Sequence, residues 1–420
     1  MSITNFFSSA LYIWDLPPEA IIKTVAMIVL ALFLAFLAIV KKFEPLLLLP
    51  LAFGILIANM PGVGLSAYDW YDGNGKLMSP VLDPEGYHSF DPTMPGARLG
   101  LMGFLYQGIL WVIFPPLVFL CIGTMTDFGP LISRPTNALI GIGGQLGIFV
   151  AFGLSLLVFY LFGTVTGWIP EFADYGLKDA AVIGIVGSSD GPTSVFTATQ
   201  LNKDLLASVA IAAFSYMALV PFIQPPIMKL MTTKKERMVV MPTPKPVSKR
   251  VKVIFPIALT VLTLLLVPYA GLLIGMLMLG NLIRESGVAE RYVKTLSTHL
   301  LNLLTLLVGL SIGTSATAEF FLRPVTLVII GCGLLAFVFG TVGGVGMAKI
   351  LCLVTKGKVN PLIGNSGVSA MPMAARISQR EGQKYNPQNH LLMHAMGPIV
   401  ASTIGSAIIA GLFIQFFMGT

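Results

Sequence analysis

The sequence predicts an all-α polytopic membrane protein made of two inverted repeats, each with a broken, re-entrant helical segment. Three observations carry that reading: an apolar composition, loops that sort by charge sign, and two polar, glycine-rich gaps inside hydrophobic runs. Of 420 residues, 55% are hydrophobic and only 11% are charged; mean hydropathy is +0.85. A water-soluble chain carries roughly a quarter charged residues, so much of this surface must face lipid. Secreted disulfide scaffolds, nucleic-acid binders and cytosolic metalloenzymes are excluded. Cys121, Cys332 and Cys352 lie in apolar runs without metal-ligand spacing and read as packing residues.

The formal charge of +7 matters less than its distribution. Residues Lys229 to Lys252 hold eight Lys or Arg against one Glu, whereas Pro61 to Arg98 hold two basic residues against five acidic ones. The first stretch is expected on the cytoplasmic side and the second outside. No basic n-region precedes the first apolar run and no small-residue cleavage site follows it, so no signal peptide is expected. The predicted organisation is an N-terminal segment (1–20), a first membrane repeat (21–228) with an acidic external loop (61–98), a basic cytoplasmic linker (229–252) and a second membrane repeat (253–420).

Along the chain, spans of the roughly 20 residues a bilayer requires are expected at Ile21 to Val40, Phe43 to Met60, Leu99 to Met125 and Asn137 to Phe162. Lys41, Lys42 and Arg134 then fall inside, and Glu171 to Asp179 outside. Two apolar segments follow before the basic linker, Ala180 to Thr199 and Leu205 to Ile227. Two full crossings would put the linker outside. Parity is restored if the first segment is a hairpin that enters and leaves on the external side. Gly184, Gly187, Ser188, Ser189, Asp190, Gly191 and Pro192 suit that role, because unwound backbone at membrane depth survives only inside protein or beside a water-filled cavity.

In the second half, Val253 to Ile283 is expected to make two short spans around Pro268, followed by spans at Leu300 to Gly313, Pro324 to Gly340 and Leu391 to Phe417. Asn360 to Arg376 again packs Gly, Ser, Asn and Pro into an apolar setting. It is expected as a hairpin of opposite sense, with both ends cytoplasmic. Two interrupted segments at corresponding points of two halves point to a midplane site between inverted repeats.

Asp190 is the principal chemical candidate, since a carboxylate in an apolar span costs about 3 kcal/mol on insertion scales and is a functional signal. Its structural alternative is an N-cap, for which Gly191-Pro192 is well suited; the two roles are compatible. Ser188, Ser189, Thr193 and Ser194 supply neutral oxygens around it. One carboxylate among hydroxyls and carbonyls, without His or Cys, suits a hard monovalent cation or a proton. Asn360, Gly364, Asn365, Ser366, Gly367 and Ser369 form the partner cluster, with a tight contact of small residues as its bland reading. Tyr216 offers a phenol, and alone reads as a packed aromatic. Arg376 offers a planar fork suited to carboxylates, with a positive-inside anchor as its plain alternative. Arg323, four residues after Glu319, is expected to pair with it. His88, His299, His390 and His394 show no ligand spacing, and no metal is assigned to them.

At GSSDGPTSVF (187–196), SYMALVPFIQPPIMK (215–229) and NPLIGNSGVSAMPMAAR (360–376), the chain closely resembles the beta subunit of the biotin-dependent, sodium-translocating decarboxylases. The resemblance covers most of the chain from about Phe43 onward. It implies a scaffold and a mobile core exchanging by an elevator-like movement, in a homotrimer in the bacterial cytoplasmic membrane. It implies a membrane subunit that decarboxylates carboxybiotin, supplied by a carboxyltransferase and biotin-carrier partner beside a small gamma or delta membrane subunit, while Na+ is exported and an external proton consumed. No biotin is carried on this chain itself. By motif matching it also implies Asp190 as the essential aspartate, Tyr216 and Ser369 as coupling hydroxyls, Asn360 and Gly364 as sodium-site residues, and Arg376 at the carboxybiotin end. Two positions depart from the pattern. Ser189 replaces an Ala before the Asp, and Ile399 replaces an Asn after Gly397-Pro398. If that Asn supplies an amide oxygen to Na+, its replacement has to come from Ser189, Ser402 or water. The competing function is a Na+- or H+-coupled transporter of a small organic anion, which would share the repeats, the buried Asp and the cytoplasmic Arg.

Overall fold

The computed structural model describes residues 17–418 except 43, 61–63, 75, 79–89 and 372. His88, residues 1–16 and part of the acidic loop lie outside the described residues. The chain forms helices α1 (Pro18–Ile39), α2 (Pro45–Ala58), α3 (Leu101–Leu110), α4 (Phe114–Met125), α5 (Asn137–Gly144) and α6 (Leu146–Phe159). These are followed by α7 (Leu177–Val186), α8 (Gly191–Leu201), α9 (Leu206–Met231), α10 (Lys249–Leu266) and α11 (Gly271–Ser286). The last are α12 (Leu301–Ser315), α13 (Pro324–Val354), α14 (Met373–Tyr385) and α15 (Leu392–Phe417), with shorter helical turns between. Among the described residues the only sheet is a ribbon of three two-residue strands in the acidic loop, β1 (Trp70–Tyr71), β2 (Leu77–Met78) and β3 (Arg98–Leu99), antiparallel in the order β2-β1-β3.

Five helical stretches are long and apolar enough to cross a membrane: α1, Asn137–Val165, Glu290–Ser315, α13 and α15. Two broken pairs, α3 with α4 and Lys203–Met217 with Leu219–Met231, bring the possible total to seven. The chain is a multi-pass, all-α membrane protein. The break between α3 and α4 falls where Val112 takes a left-handed backbone with φ 58°, a conformation that β-branched residues rarely adopt. Around Pro268, where two short spans are expected, the chain forms α10 and α11, separated by a 3-10 turn at Pro268–Ala270; neither is among the stretches long and apolar enough to cross a membrane. Arg323 does not pair with the Glu319 carboxylate. Its Nε donates to the Glu319 carbonyl at 3.4 Å, and its guanidinium lies 4.7 Å from the Phe320 ring centroid, so the ring and the carbonyl take the charge.

The chain divides into two compact units, Met1–Phe114 with Asn302–Leu327, and Pro115–Leu301 with Val328–Thr420. Each draws on both halves of the sequence. In the first unit, α2 meets α12 backbone to backbone: a Cβ on Gly54 would lie 2.7 Å from the Leu310 carbonyl oxygen, and one on Gly313 would lie 2.3 Å from that of Leu51. Asn59 closes the same pair, donating to the Ala316 carbonyl at 2.8 Å and accepting from the Ala318 amide at 2.8 Å.

The second unit uses small residues in the same way, as expected where lipid offers no hydrophobic drive for helices to associate. Gly143 faces Gly343, Gly147 faces Gly187, and Gly344 faces Gly364. These contacts seat the two broken segments against α5, α6 and α13. The tightest is at Gly144, where a Cβ would lie 1.7 Å from the Gly367 carbonyl oxygen. Gly144→Ala is therefore expected to lower stability by about 1–3 kcal/mol through overpacking. Gly153→Ala, where a Cβ would meet nothing within 4 Å, should leave it unchanged. Thermal unfolding in detergent compares the two directly.

Candidate functional site

The first broken segment is a hairpin. Its incoming limb, α7, starts with Asp179 accepting from the Gly176 amide at 2.9 Å, and its outgoing limb, α8, ends at Asn202. Asn202 Nδ2 donates to Asp179 Oδ1 at 2.6 Å, so the two ends lie side by side and the tip lies far from both. This is the return that loop parity demanded. At the tip, residues 187–190 leave the helix, and Ser189 takes a left-handed backbone with φ 55°. Such a residue stores of the order of 1 kcal/mol of strain. Asp190 then restarts the helix as its N-cap, with the Thr193 amide donating to its Oδ1 at 3.4 Å and Pro192 in the first turn.

The second segment is also a hairpin. It opens with a 3-10 turn at Pro361–Gly367 and returns as α14. Its limbs are laced by Asn365 Nδ2 donating to the Ala374 carbonyl at 2.9 Å and Ser378 Oγ donating to the Leu362 carbonyl at 3.1 Å. Gln224 of α9 holds the incoming limb through two reciprocal amide bonds with Asn365, both 2.9 Å.

The tips meet. The Ser369 amide donates to the Ser188 carbonyl at 3.0 Å, and Asp190 lies beside this contact, 5% exposed. Its Oδ2 accepts from Ser406 Oγ of α15 at 3.0 Å. Ser369 Oγ donates to Ser406 Oγ at 3.4 Å and lies 3.0 Å from Ser402 Oγ. Gln145, at the break between α5 and α6, donates from Nε2 to Ser402 Oγ at 2.9 Å and to the Ser402 carbonyl at 3.0 Å. An amide nitrogen only donates. Ser402 therefore accepts from Gln145 and passes its own proton toward Ser369, which passes on to Ser406 and so to Asp190. Every donor in the row points at the carboxylate, the arrangement an ionised Asp190 favours. Ser406 has an alternative acceptor in the Thr403 carbonyl, also at 3.0 Å.

The donor set fits a hard monovalent cation. Next to Asp190 in the chain, Ser189 Oγ is buried and has no hydrogen-bond partner among the described residues, and neither has Gln145 Oε1. A buried polar atom left unpaired costs about 1–3 kcal/mol, and an oxygen-seeking ion beside the carboxylate would relieve it.

Of the residues expected from sequence, Ser188, Thr193 and Ser194 hydrogen-bond to Asp190, Ser189 precedes it at the tip, and Ser369 reaches it through Ser406. Among the described residues Asn360, Gly364, Tyr216 and Arg376 make no hydrogen bond to Asp190. Gly364 is a packing position, where a Cβ would lie 2.4 Å from the Val345 Cα. The buried Tyr216 hydroxyl donates to the Ile330 carbonyl. Arg376 is exposed on the first turn of α14. Asn360 sits at the base of the second hairpin, separated from the tip by seven residues of 3-10 turn, roughly 14 Å at 2 Å per residue. Sequence reasoning missed Gln145 and Ser406. Ile399, Ser402 and Ser406 recur at intervals of three and four on one face of α15, which was the available signal for Ser406.

A family model described as "Na+-transporting oxaloacetate decarboxylase beta subunit" matches residues 23–417. The chain belongs to this family. It is 46% identical over 394 residues to the methylmalonyl-CoA decarboxylase subunit beta of Propionigenium modestum, covering 94% of this chain and 95% of that one. It is 42% identical over 418 residues to the oxaloacetate decarboxylase beta chain of Klebsiella pneumoniae, covering 93% and 94%. The glutaconyl-CoA decarboxylase subunit beta of Acidaminococcus fermentans is 44% identical over 393 residues, covering 94% and 93%. The Na+-transporting decarboxylase beta subunit described here is thus one component of a multi-subunit decarboxylase.

Ser406→Ala removes a hydrogen bond to a charged group, worth about 1.5–3 kcal/mol. The Na+ concentration at half-maximal decarboxylation should shift tenfold or more, measured by CO2 release against added NaCl. Ser189 separates strain from ligation. Ser189→Ala should weaken Na+ activation because the hydroxyl is lost, and Ser189→Gly should weaken it equally while raising thermal stability, since only Gly relieves the left-handed backbone.

Proposed function

We propose that this chain decarboxylates carboxybiotin delivered by a partner subunit, and couples that reaction to Na+ export with uptake of a proton from the external side. The observation that carries this reading is the buried Asp190 at the meeting point of two hairpins, held by a row of hydroxyls. A carboxylate there takes Na+ or H+, and neither state leaves a bare charge in low dielectric.

In carboxybiotin the C–N bond breaks, CO2 departs, and the biotin nitrogen takes the proton that the reaction consumes. Asp190 holds Na+ in one state and the incoming proton in the other. When it is protonated, Ser406 turns its hydroxyl from Oδ2 to the Thr403 carbonyl and releases the oxygen that carries the new proton. Ser369 and Ser402 can follow, so the charge of Asp190 is felt at Gln145 and at the second hairpin tip. Tyr216 is a candidate relay for the proton and would have to leave the Ile330 carbonyl to act. Arg376, exposed on the cytoplasmic limb of the second hairpin, is suited to pair with the carboxylate of carboxybiotin.

We read the two compact units as scaffold and mobile core, with the site wholly in the second, and the halves of the chain as inverted repeats. The paired contacts Gly147 with Gly187 and Gly344 with Gly364, each joining a long helix to a broken one, support the repeat. An elevator-like exchange, a homotrimer, and partnership with a carboxyltransferase, a biotin carrier and a small gamma or delta subunit complete the proposal. Exporting one positive charge against 100 mV costs about 2.3 kcal/mol, so Na+ position has to be tied to the chemical step. The names of the relatives, all decarboxylase subunits, favour this reading over an organic-anion transporter.

Asp190→Asn should abolish Na+-dependent release of CO2 from free carboxybiotin by the reconstituted chain, with assembly intact on size-exclusion chromatography. Wild-type turnover in that variant would remove Asp190 from the mechanism, and CO2 release by the native chain that ignores Na+ would remove the coupling.

A further inference from the structure

Asn360 begins the second hairpin but points away from its tip. Its Oδ1 accepts from the Leu362 amide at 2.9 Å, and its Nδ2 donates to the carbonyls of Arg237 and Val239 at 3.0 and 2.8 Å. The amide is thereby engaged at both ends, and both acceptors belong to the basic linker. On the far limb, beyond α14, the buried Asn389 donates from Nδ2 to the same Arg237 carbonyl at 3.0 Å. One peptide carbonyl is thus gripped from both ends of one hairpin.

The Arg237 side chain makes the grip three-way. It is 8% exposed, and its acceptors are the Thr232 hydroxyl at 2.9 Å, the Thr232 and Lys229 carbonyls, and the Tyr385 hydroxyl at 2.6 Å. The guanidinium also lies 5.0 Å from the Tyr385 ring centroid. A cation on the last carbonyls of α9 complements the negative end of that helix, and the same fork holds the end of α14. Among the described residues no carboxylate pairs with it. The charge is spent on fixing geometry.

We propose that Asn360 and Asn389, closing on Arg237, form a latch that makes the basic linker and the second hairpin move as one body. Asn360 is a positioning residue of that latch and supplies no oxygen to the ion at Asp190. What happens at the cytoplasmic linker is transmitted along the hairpin to Ser369, whose amide holds the Ser188 carbonyl beside Asp190. The latch goes beyond the proposed reaction. Its main readout is backbone exchange, which does not depend on what the complex decarboxylates.

Amide hydrogen exchange of the assembled complex in NaCl and in KCl tests it, together with the Na+ dependence of decarboxylation. In the wild type, exchange in 232–241 should be slow and slower still in NaCl. Asn360→Asp keeps the acceptor for Leu362 and replaces both donor contacts by repulsion between oxygens. It should raise exchange in 232–241 at least tenfold, abolish the response to Na+ there and lower turnover, with Na+ half-saturation within twofold of wild type. Asn389→Asp should reproduce these effects, and the double variant should add little to either single one. A tenfold shift in Na+ half-saturation with unchanged exchange in 232–241 would make Asn360 an ion ligand and overturn the latch. So would unchanged exchange in Asn389→Asp, which decides the matter if Asn360→Asp does not assemble.

Discussion

A single backbone hydrogen bond, from the Ser369 amide to the Ser188 carbonyl, joins the tips of the two hairpins. Unpaired peptide groups at membrane depth cost several kcal/mol each, so each tip needs the other to be tolerable. The site follows from that necessity. Where two helices are broken, their termini present amides, carbonyls and hydroxyls that have no ladder to satisfy them. Asp190 uses one amide as an N-cap, takes a hydroxyl from α15, and leaves the neighbouring hydroxyl of Ser189 without a partner among the described residues. Asp190 caps the helix, and in the proposed function the same carboxylate also binds the ion.

The tips reach each other only because the surrounding backbones come unusually close. Gly144 admits the Gly367 carbonyl, Gly147 admits Gly187, and Gly344 admits Gly364. A Cβ at these positions would lie 1.7, 2.8 and 2.3 Å from the backbone oxygen it faces, each short enough that the hairpin has to shift and strain the contact between the tips. The glycines of α5, α6 and α13 therefore belong to the site as much as the serines do. This also gives Gly364 a physical reason that needs no ion: its Cβ would collide with the Val345 backbone. At the opposite end, Asn360 and Asn389 fix the base of the same hairpin, so one element is clamped by steric fit at its middle and by amides at its root.

Much of this was legible in the sequence, and the reasons are instructive. Loop charges fixed the parity of crossings, parity required a return at 180–199, and the Asn202 to Asp179 bond is that return. Asp190 stood out because a carboxylate in an apolar run is expensive. Ser406 and Gln145 did not, because each is cheap where it sits. A serine in a helix can satisfy itself on the carbonyl three residues back, as Ser406 does with Thr403 and Ser402 does not, and its hydroxyl then leaves no trace in hydropathy. Gln145 is neutral and solitary. The units also escaped sequence reading. Their boundaries at 114 and 302–327 cut across both halves, and contact between segments two hundred residues apart has no local signature. The roles of Asn360 and Asn389 stayed hidden for the same reason: the carbonyls they hold lie more than a hundred residues upstream.

The geometry bears on why such a pump should rely on one carboxylate. In the proposed cycle the Asp190 site is neutral with Na+ or with H+ aboard. Empty, it holds a bare negative charge that is 5% exposed, and a buried unpaired charge costs several kcal/mol. The proposed elevator-like exchange would therefore be selective for loaded states. In the proposed cycle Na+ and H+ alternate at this one position, so release of the cation is tied to arrival of the proton and to the step that next consumes it. Decarboxylation of carboxybiotin is such a sink, since the departing CO2 leaves a nitrogen that must take a proton. A second fixed charge beside Asp190 would undo this logic by stabilising the empty state and opening a leak. The neighbours of Asp190 are neutral: Ser188, Ser189, Thr193, Ser369, Ser402, Ser406 and Gln145, with Ile399 as the next apolar step on the same face of α15. A carboxylate that alternates between Na+ and H+, as proposed, is served by neutral hydroxyls where an ordinary ion pair would use an arginine, which fits a site so poor in charge and so rich in serine.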